Sequence, residues 1–79
     1  MPVHLMLSTT LRDHIPGYDP LQGLSLELQG RTTVRGLAEQ LGLPLPQIKI
    51  VMLNGRRAGL DEELAEGDRL ALFPAIGGG

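Results

Sequence analysis

A single amphipathic helix is the feature that most constrains how this chain of 79 residues can fold. The segment "TTVRGLAEQLGLP" (32–44) places apolar residues at i, i+3, i+4 and i+7, which is one stripe of a helix. A threonine can cap its start, and Gly42 followed by Pro44 predicts its end. Because one helix cannot bury its own stripe, a sheet must cover it. The stripe consists of Val34, Leu37, Ala38 and Leu41.

Four apolar runs predict the strands of that sheet. The dipeptide Asn54–Gly55 predicts a tight hairpin and a short further arm. We expect the first two strands to be antiparallel, and the last to lie inside the sheet because its apolar residues need burial on both sides. The fold class is therefore α+β, a β-grasp with a mixed sheet and one main helix, over residues 1–74, with a flexible glycine-rich tail at 75–79. The strands are predicted at Val3–Ser8, Leu24–Leu28, Ile48–Leu53 and Arg69–Pro74.

Composition excludes several classes of function. The net charge of -2 argues against a nucleic-acid partner, because no basic excess is available to neutralise phosphates. The lack of cysteine removes disulfides, thiolate catalysis and cysteine metal sites, and favours a cytoplasmic protein. We expect no signal peptide and no membrane partner, since no apolar run approaches the ~20 residues of a spanning helix.

The internal polar residues make weak candidates for chemistry. His4 lies in a strand pattern, and His14 follows Asp13 in a long loop, where adjacent side chains rarely face each other. A catalytic base also needs a positioned nucleophile, and none is recognisable. The acidic segment 61–68 lacks the ligand spacing of a calcium loop. We interpret it as a solvated face, with a patch for a basic partner as the weaker alternative, and we expect no metal site.

The terminal segment "FPAIGGG" (73–79) is the strongest functional candidate that remains. Glycine has no Cβ, so a run of glycines fits a narrow channel. The residues beyond Pro74, at ~3.3–3.6 Å each, would reach more than about 13 Å when extended. A slim terminal carboxylate can be activated by ATP as an acyl adenylate, after which a sulfur nucleophile can displace AMP. A frayed tail or an expression scar is the alternative.

Several segments together carry a family resemblance over nearly the whole chain. They are "TLRDHIPG", "TTVRGLAEQLGLP", "IVMLNGRRAGLDEELAEGDRLALFP" and the terminal glycines. In this combination the chain resembles the ThiS/MoaD sulfur carriers, which are ubiquitin-like β-grasp proteins. The "TLRD" after the first strand and the "FP" before the tail look like the small subunit of molybdopterin synthase.

The resemblance implies a sulfur carrier that is a co-substrate and not an enzyme. An E1-like adenylyltransferase would activate Gly79 with ATP, and a sulfur donor would convert it to a thiocarboxylate. Gly77 and Gly78 would form the stem, and Phe73, Pro74 and Ile76 would help dock a partner such as the large subunit of molybdopterin synthase. The family usually ends on two glycines, so Gly78 is the active end if Gly79 is trimmed.

The resemblance leaves the sulfur acceptor open among molybdopterin, a tungsten analogue, thiamine and cysteine synthesis. It implies no bound cofactor, ATP being used by the partner enzyme, and a monomer when free. Two alternatives differ in class: a ubiquitin-like modifier joined to lysines through the same terminus, and an interaction module with a silent tail.

Overall fold

The computed structural model describes residues 1–75, and it contains one α-helix and five strands. Two short 3₁₀ helices, at Thr9–His14 and Leu45–Gln47, lie in the connections. The helix α1 spans Val34–Gln40. The strands are β1 (Val3–Leu7), β2 (Leu24–Leu26), β3 (Ile50–Leu53), β4 (Arg56–Ala58) and β5 (Arg69–Phe73).

The strands form one mixed sheet in the order β2-β1-β5-β3-β4. β5 is parallel to β1 and antiparallel to β3, while the β1–β2 and β3–β4 pairs are antiparallel. The last strand of the sequence is thus the central strand of the sheet. This confirms the predicted α+β β-grasp, the antiparallel first pair and the internal position of the last strand.

The core lies between the helix and one face of the sheet. Period-two alternation directs every second residue of β1 and β5 to this face. Leu5 and Leu7 stand beside Leu70 and Leu72 in the parallel register, and all four are at most 1% exposed. The helix contributes Val34, Leu37 and Ala38 from the predicted stripe, and Leu41 packs at its edge.

The helix is shorter than the predicted segment because the hydrogen bonds that cap its two ends lie inside that segment. The Thr33 hydroxyl accepts a hydrogen bond from the Gly36 amide at 3.1 Å, which fixes the start. At the end, Gly42 has φ +76°, and its amide donates to the Glu39 carbonyl while the Leu43 amide donates to that of Ala38. These two bonds form a Schellman motif, so the chain leaves the helix before Pro44.

The predicted hairpin at Asn54–Gly55 is confirmed. Both residues have positive φ, at +53° and +82°, and Leu53 pairs with Arg56 across a two-residue turn. This is the backbone that favours Asn-Gly in tight hairpins. The four predicted strands are each one or two residues longer than the observed ones. Apolar residues at their predicted ends, such as Leu28 and Ile48, contact the core but do not pair with a neighbouring strand.

The long connection between β1 and β2 folds back against β1. β2 pairs only with Val3–Leu5, so Leu7 needs other hydrogen-bond partners. The Tyr18 hydroxyl accepts from the Leu7 amide at 2.8 Å, and Arg12 Nε donates to the Leu7 carbonyl at 2.9 Å. Gly23 closes the connection with φ +69° in contact with β1.

Gly23→Ala tests whether this close approach holds the connection in place. A Cβ at Gly23 would lie 2.5 Å from both the Leu5 carbonyl oxygen and Met6 Sδ. We expect the substitution to destabilise the fold by about 2 kcal/mol beyond the backbone cost, which lowers Tm by roughly 8–16 °C.

Gly17→Ala is the matched control, because Gly17 has φ +74° with no atom within 4 Å of a Cβ. It should show the backbone cost of about 1 kcal/mol alone. Thermal unfolding of both variants measures the difference. Equal losses would show that the contact with β1 contributes nothing.

Candidate functional site

The central strand β5 leads directly into the segment that the sequence singles out. Its inner residues are buried in the core, and strands cover both of its edges. At its end the Lys49 amide donates to the Phe73 carbonyl at 2.8 Å. The point where the chain leaves the sheet is therefore held by backbone pairing and by the core.

The predicted docking residues differ in their surroundings. Phe73 is half-buried and pairs in register with Ile50, also half-buried, on the face of the sheet opposite the core. Pro74 is buried in this conformation, which leaves its ring little surface for a partner. Ile76, Gly77, Gly78 and Gly79 lie outside the described residues, so their roles stay predictions.

A groove on the face of the sheet opposite the core was not anticipated from the sequence. We call this face the open face. At its centre Ala71 of β5 stands between Met6 of β1 and Met52 of β3, all three half-buried. The groove has a volume of about 360 Å³ and a predominantly apolar lining. Its rim includes His4, Arg69, Gly55 and Leu21.

Alternation in "VHLMLS" does assign His4 and Met6 to the face opposite the core. The neighbours of Met6 depend on the register of β1 with β5 and of β5 with β3. Met6 and its partner Ala71 are 65 positions apart, and Ala71 and Met52 are 19 apart, so no local pattern encodes these pairings. The sequence therefore indicates which residues of β1 face outward, but not which residues lie beside them.

Neither histidine has the partners of a catalytic base. His4 Nε2 lies 2.6 Å from the Gln22 carbonyl oxygen, so the ring links β1 to the connection that precedes β2. His14 and Asp13 are exposed at the end of a 3₁₀ helix. The described contacts bring no serine hydroxyl to either ring.

The acidic segment serves the fold through specific contacts. The Asp68 carboxylate accepts from Asn54 Nδ2 at 2.9 Å and from the Ala65 amide at 2.7 Å, which joins the β3–β4 turn to the start of β5. Asp61 pairs with Arg35 Nε at 3.0 Å. The hydrogen bond and then the charge of Arg35 lower the pKa of Asp61.

Two negative findings concern residues 1–75. Within this range no three side chains of histidine, aspartate or glutamate are grouped as a metal ion would require. No helix described in this range has the length and apolar character needed to cross a bilayer.

The sheet order, the single packed helix and the central last strand define a ubiquitin-like β-grasp protein. Residues 1–77 match the family described as Mut7-C ubiquitin, and the chain belongs to that family. Among solved structures it is similar to the crystal structure of SAMP1 from Haloferax volcanii, with a TM-score of 0.70 and 25% identity over 100% of both chains. No curated protein matches it significantly.

These likenesses confirm the resemblance to the ubiquitin-like ThiS/MoaD proteins and the fold that it implies. They cover the strand that leads into the tail, since the match to SAMP1 extends over both chains. The match to the Mut7-C ubiquitin family was not anticipated from the sequence.

The Arg35–Asp61 pair gives a pH dependence of known sign. The pKa of Asp61 is lower in the folded chain, so its contribution to stability is present above the unfolded pKa of about 3.9 and is lost as pH falls through the folded pKa. We expect Asp61→Asn to lower Tm slightly at neutral pH, because the pair is exposed, and the gap to wild type to close in acid.

Glu62→Gln is the control, because Glu62 forms no ion pair among the described residues. Melting curves between pH 7 and the acid limit compare the two variants. A gap for Asp61→Asn that widens in acid would contradict the assigned pairing.

Proposed function

We propose that this protein is a sulfur carrier whose terminal glycine is adenylated and converted to a thiocarboxylate. The observation that carries the proposal is the path of β5. A strand fixed at the centre of a ubiquitin-like sheet continues, after the buried Pro74, into the glycine run. The folded part thereby presents the tail to a partner without having to unfold.

The chemistry requires only the terminal carboxylate from this chain. A carboxylate oxygen of Gly79 attacks the α-phosphorus of ATP in the partner enzyme, and pyrophosphate leaves. A sulfur nucleophile then attacks the acyl carbon, and AMP leaves, so that sulfur replaces the oxygen that was carried off with AMP. The glycines leave the acyl carbon unhindered on both sides. Gly78 takes this role if Gly79 is removed.

The proposed partners follow from the resemblance to the ThiS/MoaD proteins. An E1-like adenylyltransferase activates the terminus. The large subunit of a molybdopterin synthase then transfers the sulfur to a pterin precursor. Phe73 and Ile76 contact these partners, and Pro74 is the buried residue that precedes the tail. Molybdopterin is the pathway that "TLRD" and "FP" favour, and thiamine is the main alternative.

A second function uses the same activated terminus. An acyl adenylate reacts with an amine as well as with sulfur, and attack by a lysine would form an isopeptide bond to a target protein. Membership of a ubiquitin family favours this reading. Isopeptide-linked conjugates in cell extract would support it, and an intact Gly79 that never enters a conjugate would argue against it.

Intact-mass measurement tests the sulfur-carrier proposal. The protein is incubated with its E1-like enzyme, ATP and a sulfur source, and we expect a mass gain equal to the exchange of one oxygen for sulfur. Deletion of Gly79 alone and of Gly78–Gly79 identifies the active end. An unchanged mass with an enzyme that is active on another substrate would refute the proposal.

Deletion of Gly77–Gly79 separates function from folding. Pro74 is the last buried residue of the described chain, so we expect the unfolding free energy to change by less than about 0.5 kcal/mol while sulfur loading is abolished. Thermal unfolding and the mass assay are run on the same sample. Normal sulfur loading of this variant would favour the silent-tail alternative.

A further inference from the structure

The turn between β3 and β4 is joined to the start of β5 by a pair of polar side chains. Asn54 Nδ2 donates to Asp68 Oδ1 at 2.9 Å, and the Arg69 amide donates to Asn54 Oδ1 at 2.9 Å. The second carboxylate oxygen of Asp68 accepts from the Ala65 amide at 2.7 Å. We call these three hydrogen bonds the Asn54–Asp68 clasp. Each side chain uses both of its polar atoms, so a change to one side chain alone breaks a bond in the clasp.

Asn54 is also the only asparagine of the sequence, and a glycine follows it. An Asn-Gly dipeptide is chemically labile, because the glycine has no Cβ to hinder attack by its backbone nitrogen. The Gly55 nitrogen attacks Cγ of Asn54, the side-chain amide leaves as ammonia with the proton of that nitrogen, and a succinimide ring forms. Water then opens the ring to give aspartate or isoaspartate. The net reaction consumes one water and releases one ammonia, so it needs no other reactant.

The closed clasp opposes this reaction. Attack requires the Asn54 side chain to rotate onto the Gly55 nitrogen, whereas its bonds to Asp68 and to the Arg69 amide hold it toward β5. The backbone is held as well, since the Asn54 amide donates to the Arg69 carbonyl at 2.8 Å. Both residues of the turn are exposed, so the turn can open locally while the core stays folded.

The product of the reaction does not fit the clasp. An ionised carboxylate only accepts hydrogen bonds, so an aspartate at position 54 would turn an oxygen toward the Asp68 oxygen that Asn54 now binds at 2.9 Å. Asp68 is half-buried, which limits screening of the two negative charges. The φ of +53° at this position is not the obstacle, because aspartate tolerates it as asparagine does. Isoaspartate would instead add a backbone carbon to the two-residue turn and disturb the pairing of Leu53 with Arg56.

From these contacts we infer that Asn54 is a site of spontaneous deamidation, which the closed clasp suppresses and whose product releases the turn from the start of β5. The change runs in one direction, because the ammonia is lost to solvent. Gly55 and Arg69 both line the groove of the open face, so the modified chain differs from the new one at that edge of the groove. This modification is independent of the sulfur-carrier chemistry.

Ageing of the full chain tests the reaction. The protein is kept in mildly alkaline buffer below its Tm, and the peptide that contains position 54 is followed by mass spectrometry for replacement of the amide by a carboxyl group. We expect conversion in the folded chain to be about tenfold or more slower than in urea, and about fivefold faster in Asp68→Ala than in wild type, because that variant lacks the clasp. Gly17→Ala is the control: it strains the connection between β1 and β2, and its rate should stay within about twofold of wild type.

Exchange of the two side chains tests the consequence. Asn54→Asp mimics the product, and we expect it to lower Tm by about 4–8 °C, the shift that loss of one hydrogen bond produces in a domain of this size. Asn54→Asp combined with Asp68→Asn should recover most of this loss. In the double variant the amide at position 68 donates to the carboxylate at position 54 and still accepts from the Ala65 amide. Gln29→Glu makes the same amide-to-carboxylate change at an exposed residue after β2 and should leave Tm within about 2 °C.

The two experiments can each overturn the inference. A folded chain that deamidates as fast as the denatured one, or an Asp68→Ala chain as slow as wild type, would show that the clasp protects nothing. An Asn54→Asp chain that melts with wild type would show that the product leaves the clasp closed. A double variant no more stable than Asn54→Asp alone would show that repulsion from Asp68 is not the cause of the loss.

Discussion

The insertion of β5 between β1 and β3 is the interaction on which the rest of the structure depends. Its parallel pairing with β1 joins the two ends of the sequence, and its antiparallel pairing with β3 joins the two hairpins. Leu70 and Leu72 are the meeting point of these pairs within the core. The two hairpins depend on each other, because neither alone presents enough apolar surface to cover the helix.

Alternation along this strand builds two different surfaces. Leu70 and Leu72 face the helix, while Arg69, Ala71 and Phe73 belong to the open face. A shift of one residue in register would exchange them, placing an arginine in the core and leucines in the groove. The burial of two leucines thus fixes which residues of β5 form the open face. Folding and the composition of the open face share one constraint.

Local signals in the sequence were sufficient for much of the fold. The helix stripe, the capping threonine and the Asn54–Gly55 turn each involve residues within one or two turns of each other, so their patterns are readable directly. The central place of β5 followed from its apolar residues needing burial. The end of α1 at Gly42 also followed from the sequence, whereas its start did not, because Thr32 and Thr33 are both able to cap and only the structure selects Thr33.

Gly36 is a glycine inside the helix whose surroundings are set by a neighbouring helix residue and not by the sheet. Glycine inside a helix costs roughly 1 kcal/mol relative to alanine, and a close approach of the sheet is one reason for a fold to keep it. The atom nearest to a Cβ at this position is instead the Thr33 hydroxyl oxygen, at 3.4 Å. Gly36 thus lies under the cap that its own amide completes. The approach to the sheet that does exclude a side chain is at Gly23, in a connection with no periodic pattern to reveal it.

The two parts of the candidate site, the glycine run and the groove, also differ in whether a local sequence pattern reveals them. The glycine run is visible in the sequence because the chemistry proposed for it needs no neighbouring side chains of this chain. The groups that would activate the carboxylate belong to a partner protein. The groove needs residues 6, 52 and 71 in one row, and only the assembled sheet supplies that row. The rim of the groove can vary without disturbing the fold, because Leu21 and Arg69 are exposed and contribute nothing to the core.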